Sequence, residues 1–239
     1  MRDRIMSNAP AMLRLGAMAT FALAVISGDP SDGVAQRGGG RGRGGIQVMA
    51  LTSSAFNDGG VIPAKYSQAG RDVSPPLAWN GAPDSTVSFV LLFHDADAAV
   101  GDGTDDTLHW LVWGIPGTVT SLPEGFPQGM QVPYAAVGIA PPVAARGGRG
   151  GRGGAGGGGG RGGISQISVS GPYYRGPAAP ASGTPHHYIF ELYALDENVN
   201  YTPAGQSAGP PTRAAVFEAM QGHIRGKGVL VGTYRRPAP

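Results

Sequence analysis

The sequence predicts a mainly β, mostly antiparallel domain with one helix packed late in the chain. Three observations carry this expectation. Four apolar runs have strand length, clusters of Pro, Gly, Asn and Asp separate them, and a single helical period comes near the C-terminal end.

The elements follow in order. VSFVLLF at 87–93 is an apolar run of the kind found in a strand covered on both faces, and residues 108–115 form a second. Residues 188–195 make a third with partial alternation, and 229–234 a fourth. Between them, Ser74-Pro75-Pro76, Asn80-Gly81-Ala82-Pro83 and Ile115-Pro116-Gly117 are poor continuations of a helix or central strand, because proline cannot donate to a ladder and glycine suits turns. A helix is expected with Thr212 as N-cap, Ala215, Val216, Phe217, Met220 and Ile224 facing inward, and Gly226 as its stop.

Composition limits how much of the chain can pack. Of 239 residues, 42 are glycine and 21 proline, so one domain is expected. Residues 1–35 read as a secretory signal: Arg2, Arg4 and Arg14 precede an apolar run at 15–26, and Gly33-Val34-Ala35 offers a cleavage point. That run is too short for a membrane span, so the mature chain, secreted or periplasmic, is expected to have no transmembrane anchor. There is no cysteine, hence no disulfide and no lipidated-cysteine anchor.

Two Gly/Arg tracts stand apart. Residues 36–47 are expected to be a flexible linker, and 145–163 a disordered insertion in a domain spanning 48–236. Residues 1–35 hold three basic and three acidic residues, which leaves 15 basic and 13 acidic; without the seven tract arginines the balance is 8 against 13, about minus five. The high isoelectric point therefore belongs to the tracts. Such tracts can bind RNA, but they lack interleaved aromatics and export would separate them from RNA, so no nucleic-acid partner is expected. Arginines of the second tract, just upstream of a polar motif, would steer anions by a salt-screened field.

Polar residues gather in three segments: HDADAA at 94–99, LHW at 108–110 and GPAAPASGTPHHY at 176–188. Together they can build one pocket for a small anionic group. Asp95 and Asp97 lie two apart and share a side of their strand, with His94 pointing the other way. Close carboxylates can act as acid and base, bind a metal or orient a histidine. A calcium loop fails in detail, since Ala99, Val100 and Asp106 stand where Asp or Asn, Gly and Glu are needed. His109 is grouped by alternation with Leu111 and Trp113, opposite Trp110 and Val112. His186 and Tyr188 share a side after a loop rich in Pro, Ala and Gly, which can bring backbone N–H groups to a ligand.

These segments, with SPPLAWNGAPDSTVSFVLLFHDADA at 74–98, LHWLVWGIPGTVTSLPEG at 108–125 and YRGPAAPASGTPHHYIFELYALD at 174–196, resemble the phosphatidylethanolamine-binding protein family, in its bacterial branch similar to Raf kinase inhibitor protein. The resemblance runs from about residue 50 to 236. It implies an antiparallel β-sandwich-like fold with a few peripheral helices, one near the C-terminus, and a small anion-binding cavity. By that resemblance the ligand-binding residues are Asp95, His109, His186 and Tyr188, supported by Asp97 and by Gly176 and Pro180 of the loop. Ala96, Ala99 and Ala179 replace prolines of the family pattern, and His187 stands where arginine is usual.

The function this implies is a non-enzymatic binding protein for phosphate, a phospholipid headgroup or a carboxylate, with no cofactor or metal, Asp95 orienting His109, and His186, Tyr188 and backbone amides contacting the anion. A homodimer is an expectation of the resemblance alone. The rival reading is an interaction module inhibiting a secreted or periplasmic protease. A hydrolase has little support, because neither G-x-S-x-G nor H-E-x-x-H occurs.

Overall fold

The computed structural model describes residues 45–142, 162–206 and 208–238. The expected signal at 1–35, most of the first Gly/Arg tract and most of the second lie outside the described residues. The tract boundaries need two corrections: Gln47 already belongs to the first strand, and Gly163 opens another.

Among the described residues ten strands and one α-helix form the domain: β1 (Gln47–Thr52), β2 (Gly60–Val61), β3 (Leu77–Asn80), β4 (Ser88–Val100), β5 (Asp105–Pro116), β6 (Ser121–Leu122), β7 (Gln131–Pro133), β8 (Gly163–Ile167), β9 (His186–Leu195), α1 (Gly209–Met220) and β10 (Ile224–Tyr234). Short 3-10 turns lie at Ala64–Tyr66 and Tyr134–Val137. The four sequence runs are the cores of β4, β5, β9 and β10. The other strands are short or lie at the ends of the sheet, where few residues leave little pattern to read.

All ten strands join one sheet in the order β6-β3-β1-β10-β9-β4-β5-β8-β7, with β2 beside β10. The antiparallel expectation is corrected at two places, since β10 runs parallel to both β1 and β2. Leu122 and Trp79 from one end of the sheet meet Val132 and Ile164 from the other in a single apolar core, so the sheet is curled. It is one mixed, curled sheet among the described residues, where a sandwich of separate antiparallel sheets was expected.

The inner core takes alternate side chains of each long strand: Phe89, Leu91 and Phe93 of β4, and Tyr188, Phe190 and Leu192 of β9. The intervening residues Val90 and Leu92 pack on the other face with Leu111, Trp113, Val216 and Met220, beneath α1. Burial on both faces explains why β4 reads as a continuous apolar run.

The helix begins earlier than expected. Pro210 and Pro211 occupy its first turn, where a fixed φ and a missing N–H cost nothing. Thr212 is therefore inside the helix and buried, its N–H donating to the Ala208 carbonyl at 2.9 Å. The helix stops at Met220, followed by Gly222 with φ 81°, because Ile224 is already paired with Leu195. Gly226 is a strand residue and not the stop. Among the described residues no helix is long and apolar enough to cross a membrane.

Candidate functional site

A bulge in β5 positions the first histidine. Phe93 opposes Trp110 and His94 opposes Leu108, which leaves His109 as an extra residue in β5. Consecutive residues then share a side: the His109 ring lies 5.4 Å from Phe93 and 5.2 Å from Tyr188, and Trp110 joins the same inner core. Leu108, Leu111 and Trp113 go to the other face. This corrects the simple alternation that grouped His109 with Leu111 and Trp113.

His109 is 3% exposed, and its Nδ1–H donates to the Arg175 carbonyl at 2.7 Å. A carbonyl can only accept, so in the neutral ring Nε2 carries the lone pair. Burial pulls the His109 pKa below 6.5, against the opposing effects of the Arg175 carbonyl and the Asp95 charge. The Arg175 N–H in turn donates to the His109 carbonyl at 3.1 Å, fixing the loop to the strand.

Asp95 is the last inward side chain of β4 and is buried. Its Oδ1 accepts the N–H groups of Asp97 at 3.0 Å and Ala98 at 3.1 Å, so the strand turns over its own carboxylate. Its Oδ2 lies 2.9 Å from His186 Nδ1. Asp95 therefore orients His186; the expected partner, His109, is held by Arg175.

A second pair repeats the first in solvent. Asp97 Oδ2 takes the His187 backbone N–H at 2.5 Å and meets its Nδ1 at 2.8 Å. The backbone bond, more than the ring, holds the Asp97 carboxyl below the usual carboxylate range. Asp95 and Asp97 thus serve adjacent histidines, one half-buried and one exposed.

Tyr188 is fully buried on β9. Its Oη accepts the N–H groups of Ala178 at 3.1 Å and Ala179 at 3.0 Å. Two consecutive amides aimed at one point occupy both lone pairs, so the phenol hydrogen can only be donated onward. Burial first, then nearby Asp95, raises the phenol pKa well above 10.

The loop needs glycine at 176. A Cβ there would stand 2.3 Å from the Tyr66 carbonyl oxygen. The Gly176 N–H donates to Asp72 Oδ1 at 2.6 Å and its carbonyl accepts from Gln68 Nε2 at 2.8 Å. Pro180, the other loop residue singled out, is exposed beyond the amide pair.

Sequence reasoning missed the Arg175 carbonyl, the Ala178 and Ala179 amides, His187 as an Asp97 partner, and Asp72. Backbone groups have no side-chain signature, and nothing in the sequence separates Asp72 from other acids. Its φ of 53° is a left-handed position that Asp tolerates.

His94 does point the other way, its Nδ1 on Asp106, which also pairs with Arg213 of α1. A cleft of about 460 Å³ lined by Val100, Asp106, Leu108, Arg213 and Phe217 opens on that face and is separate from the Asp95 cluster. Among the described residues no group of three or more His, Cys, Asp or Glu side chains is placed to hold a metal ion.

The family model of the phosphatidylethanolamine-binding protein matches residues 52–235. A UPF0098 protein of Methanothermobacter thermautotrophicus is 35% identical over 188 residues, covering 79% of this chain and 99% of its own. One from Pyrococcus horikoshii is 34% identical over 194 residues, covering 81% and 80%. Among solved structures, a phosphatidylethanolamine-binding protein homologue from Chlamydia trachomatis superposes with a TM-score of 0.55 at 27% identity, over 80% of this chain and 99% of that one. The Escherichia coli protein YbcL, described as a new member of the mammalian family, gives 0.55 at 20% identity over 79% and 98%, a likeness of fold alone. The chain belongs to the phosphatidylethanolamine-binding protein family.

Proposed function

We propose that this protein is an exported, non-enzymatic binding protein whose site takes a small anionic group: a phosphate, a phospholipid headgroup or a carboxylate. The observation that carries the reading is the amide pair of Ala178 and Ala179 on Tyr188 Oη, beside His109 and the Asp95-held His186. With both lone pairs taken, the phenol acts as a donor, and Asp95 beside it takes that hydrogen when no anion is bound. A protonated His109, its Nδ1–H already committed to Arg175, adds an Nε2–H donor. Donors that converge next to fixed imidazoles recognise oxyanions, and a buried setting strengthens each such bond.

The chemistry favours binding over turnover. Among the described residues no Ser or Thr hydroxyl is hydrogen-bonded to His109, His186 or His187, whose partners are the Arg175 carbonyl, Asp95 and Asp97, so no nucleophile is paired with a base here. Export rests on the leader-like residues 1–35.

The test is calorimetric titration of the protein with phosphate, acetate and phosphoethanolamine, beside His186→Ala. The expected result is saturable binding of at least one of them to the unchanged protein, weakened tenfold or more in the variant, roughly the worth of a charge-assisted hydrogen bond. Absence of binding to the unchanged protein overturns the reading and leaves a surface role, such as inhibition of an exported protease, to be tested next.

A further inference from the structure

The loop that supplies the site's backbone groups is held from outside the pocket. Residues 174–179 belong to no strand and lie against the turn at 64–72. Gln68 donates to the loop twice, its backbone N–H to the Pro177 carbonyl at 3.0 Å and its Nε2 to the Gly176 carbonyl at 2.8 Å. The Tyr66 carbonyl accepts from Tyr174 Oη at 2.9 Å. Asp72 Oδ1 accepts the Gly176 N–H at 2.6 Å, and this bond, short and made to a carboxylate, is the strongest of the four.

The turn is braced well enough to serve as a template. The Ser67 carbonyl accepts the N–H groups of Gly70 at 3.0 Å and Asp72 at 3.2 Å, and the Arg71 N–H reaches the Lys65 carbonyl at 3.1 Å. Ser67 Oγ lies 2.8 Å from Tyr234 Oη, which ties the turn to β10. Asp72 itself has a φ of 53°, and among the described residues it is the one non-glycine in the left-handed region. Such a backbone costs free energy and persists where its surroundings over-determine it. Here it accompanies a carboxylate aimed at a loop 104 residues away in sequence.

From Gly176 the chain runs into the site in both directions. One residue back, the Arg175 carbonyl takes the His109 Nδ1–H; two and three residues on, the Ala178 and Ala179 N–H groups meet Tyr188 Oη. Asp72 makes no hydrogen bond to any of these, yet pinning Gly176 fixes all three. Hydrogen bonds weaken steeply with misalignment, so a loop free to shift would lose them together.

We infer that Asp72, with Gln68, is a positioning residue of the anion site: by holding Gly176 it keeps the backbone groups at 175, 178 and 179 in the binding geometry and so sets affinity from outside the pocket. The inference rests on the anion reading of the same site.

Amide hydrogen exchange followed by NMR without ligand, and calorimetric titration with phosphate, acetate and phosphoethanolamine, test the two separately. The variants are Asp72→Gly, which removes the carboxylate and accepts the left-handed backbone; Asp72→Asn, which keeps an acceptor oxygen and tolerates that backbone; and Gln68→Ala. In Asp72→Gly the Ala178 and Ala179 amides should exchange about tenfold faster while β4 and β9 keep their protection, and affinity for the anion that binds the unchanged protein should fall about tenfold, the worth of a hydrogen bond to a charged group. Asp72→Asn should recover most of both losses. Gln68→Ala should move both in the same direction, and it decides the matter if Asp72→Gly also unprotects β4 and β9. Unchanged exchange at 178 and 179 overturns the inference, as does an Asn variant no better than the Gly variant, or faster exchange with unaltered affinity. Faster exchange in a protein that binds none of the three anions supports the hold on the loop and overturns the anion reading instead.

Discussion

At position 179 the chain supplies a backbone N–H where the family motif it resembles has proline, and that N–H is one of the two that hold Tyr188. Restoring the motif by Ala179→Pro removes the donor and leaves one phenol lone pair without a partner. The expected outcome is an anion affinity several-fold lower with the fold retained, equivalent to about 1 kcal/mol. An unchanged affinity by calorimetry would show that the amide pair does not set the strength of the phenol as donor.

His109 makes a pH prediction. Its pKa in the folded protein lies below 6.5 because burial disfavours the imidazolium, so near neutrality the ring is neutral and Nε2 has no proton to offer. Anion binding that uses this nitrogen must take up a proton. Affinity for sulfate, whose own charge is constant over this range, should therefore rise as pH falls from 7.5 to 5.5, by up to about tenfold per pH unit, and the rise should vanish in His109→Gln. The same shift acts on stability with the opposite sense. The unfolded chain binds this proton more readily than the folded one, so the ligand-free protein loses stability as pH drops through and below 6.5.

At the scale of elements, β10 decides how tightly the sheet closes. Its inward positions are Gly226, Gly228, Leu230, Gly232 and Tyr234, so three of five present no side chain. Met49 of β1 fills the space at Gly226, and Ile62 and Phe56 fill it at Gly232, where a Cβ would stand 2.4 Å from Ile62 Cγ1. Gly232→Ala should cost about 1–3 kcal/mol through overpacking, read as a lower urea midpoint. A neutral result would mean that Ile62 and Phe56 can shift at no cost. The bulge in β5 is the other decisive local event. By adding one residue it turns His109 toward Tyr188, and Gly114, at φ 73°, lies where a second irregularity resets the register.

At the scale of the molecule, the last strand lies at the middle of the sheet. β10 is the C-terminal element, yet it sits between β1 and β9 and runs parallel to β1, nearly the whole domain away in sequence. The two Asp and His pairs are likewise joined across the β4–β9 ladder, from residues some ninety positions apart. Such non-local pairing belongs to slow folders, because loop closure precedes the contacts that stabilise it.

What could be read without coordinates follows from local periodicity and from motif order. The cores of β4, β5, β9 and β10 were legible because strands buried on one or both faces impose apolar runs on the residues themselves. The family was legible because several short motifs recur in order, and with it the set Asp95, His109, His186 and Tyr188. The sequence signalled a helix near the C-terminus but not its start, since Pro210-Pro211 and Thr212 are both acceptable openings and only the packing of Thr212 chooses. Parallel pairing, the curl of one sheet, the side to which His109 turns, and the partner of each histidine were decided by tertiary structure alone. Those depend on register between distant strands and on backbone donors and acceptors at 175, 178 and 179, which every residue type carries alike and no sequence pattern can distinguish.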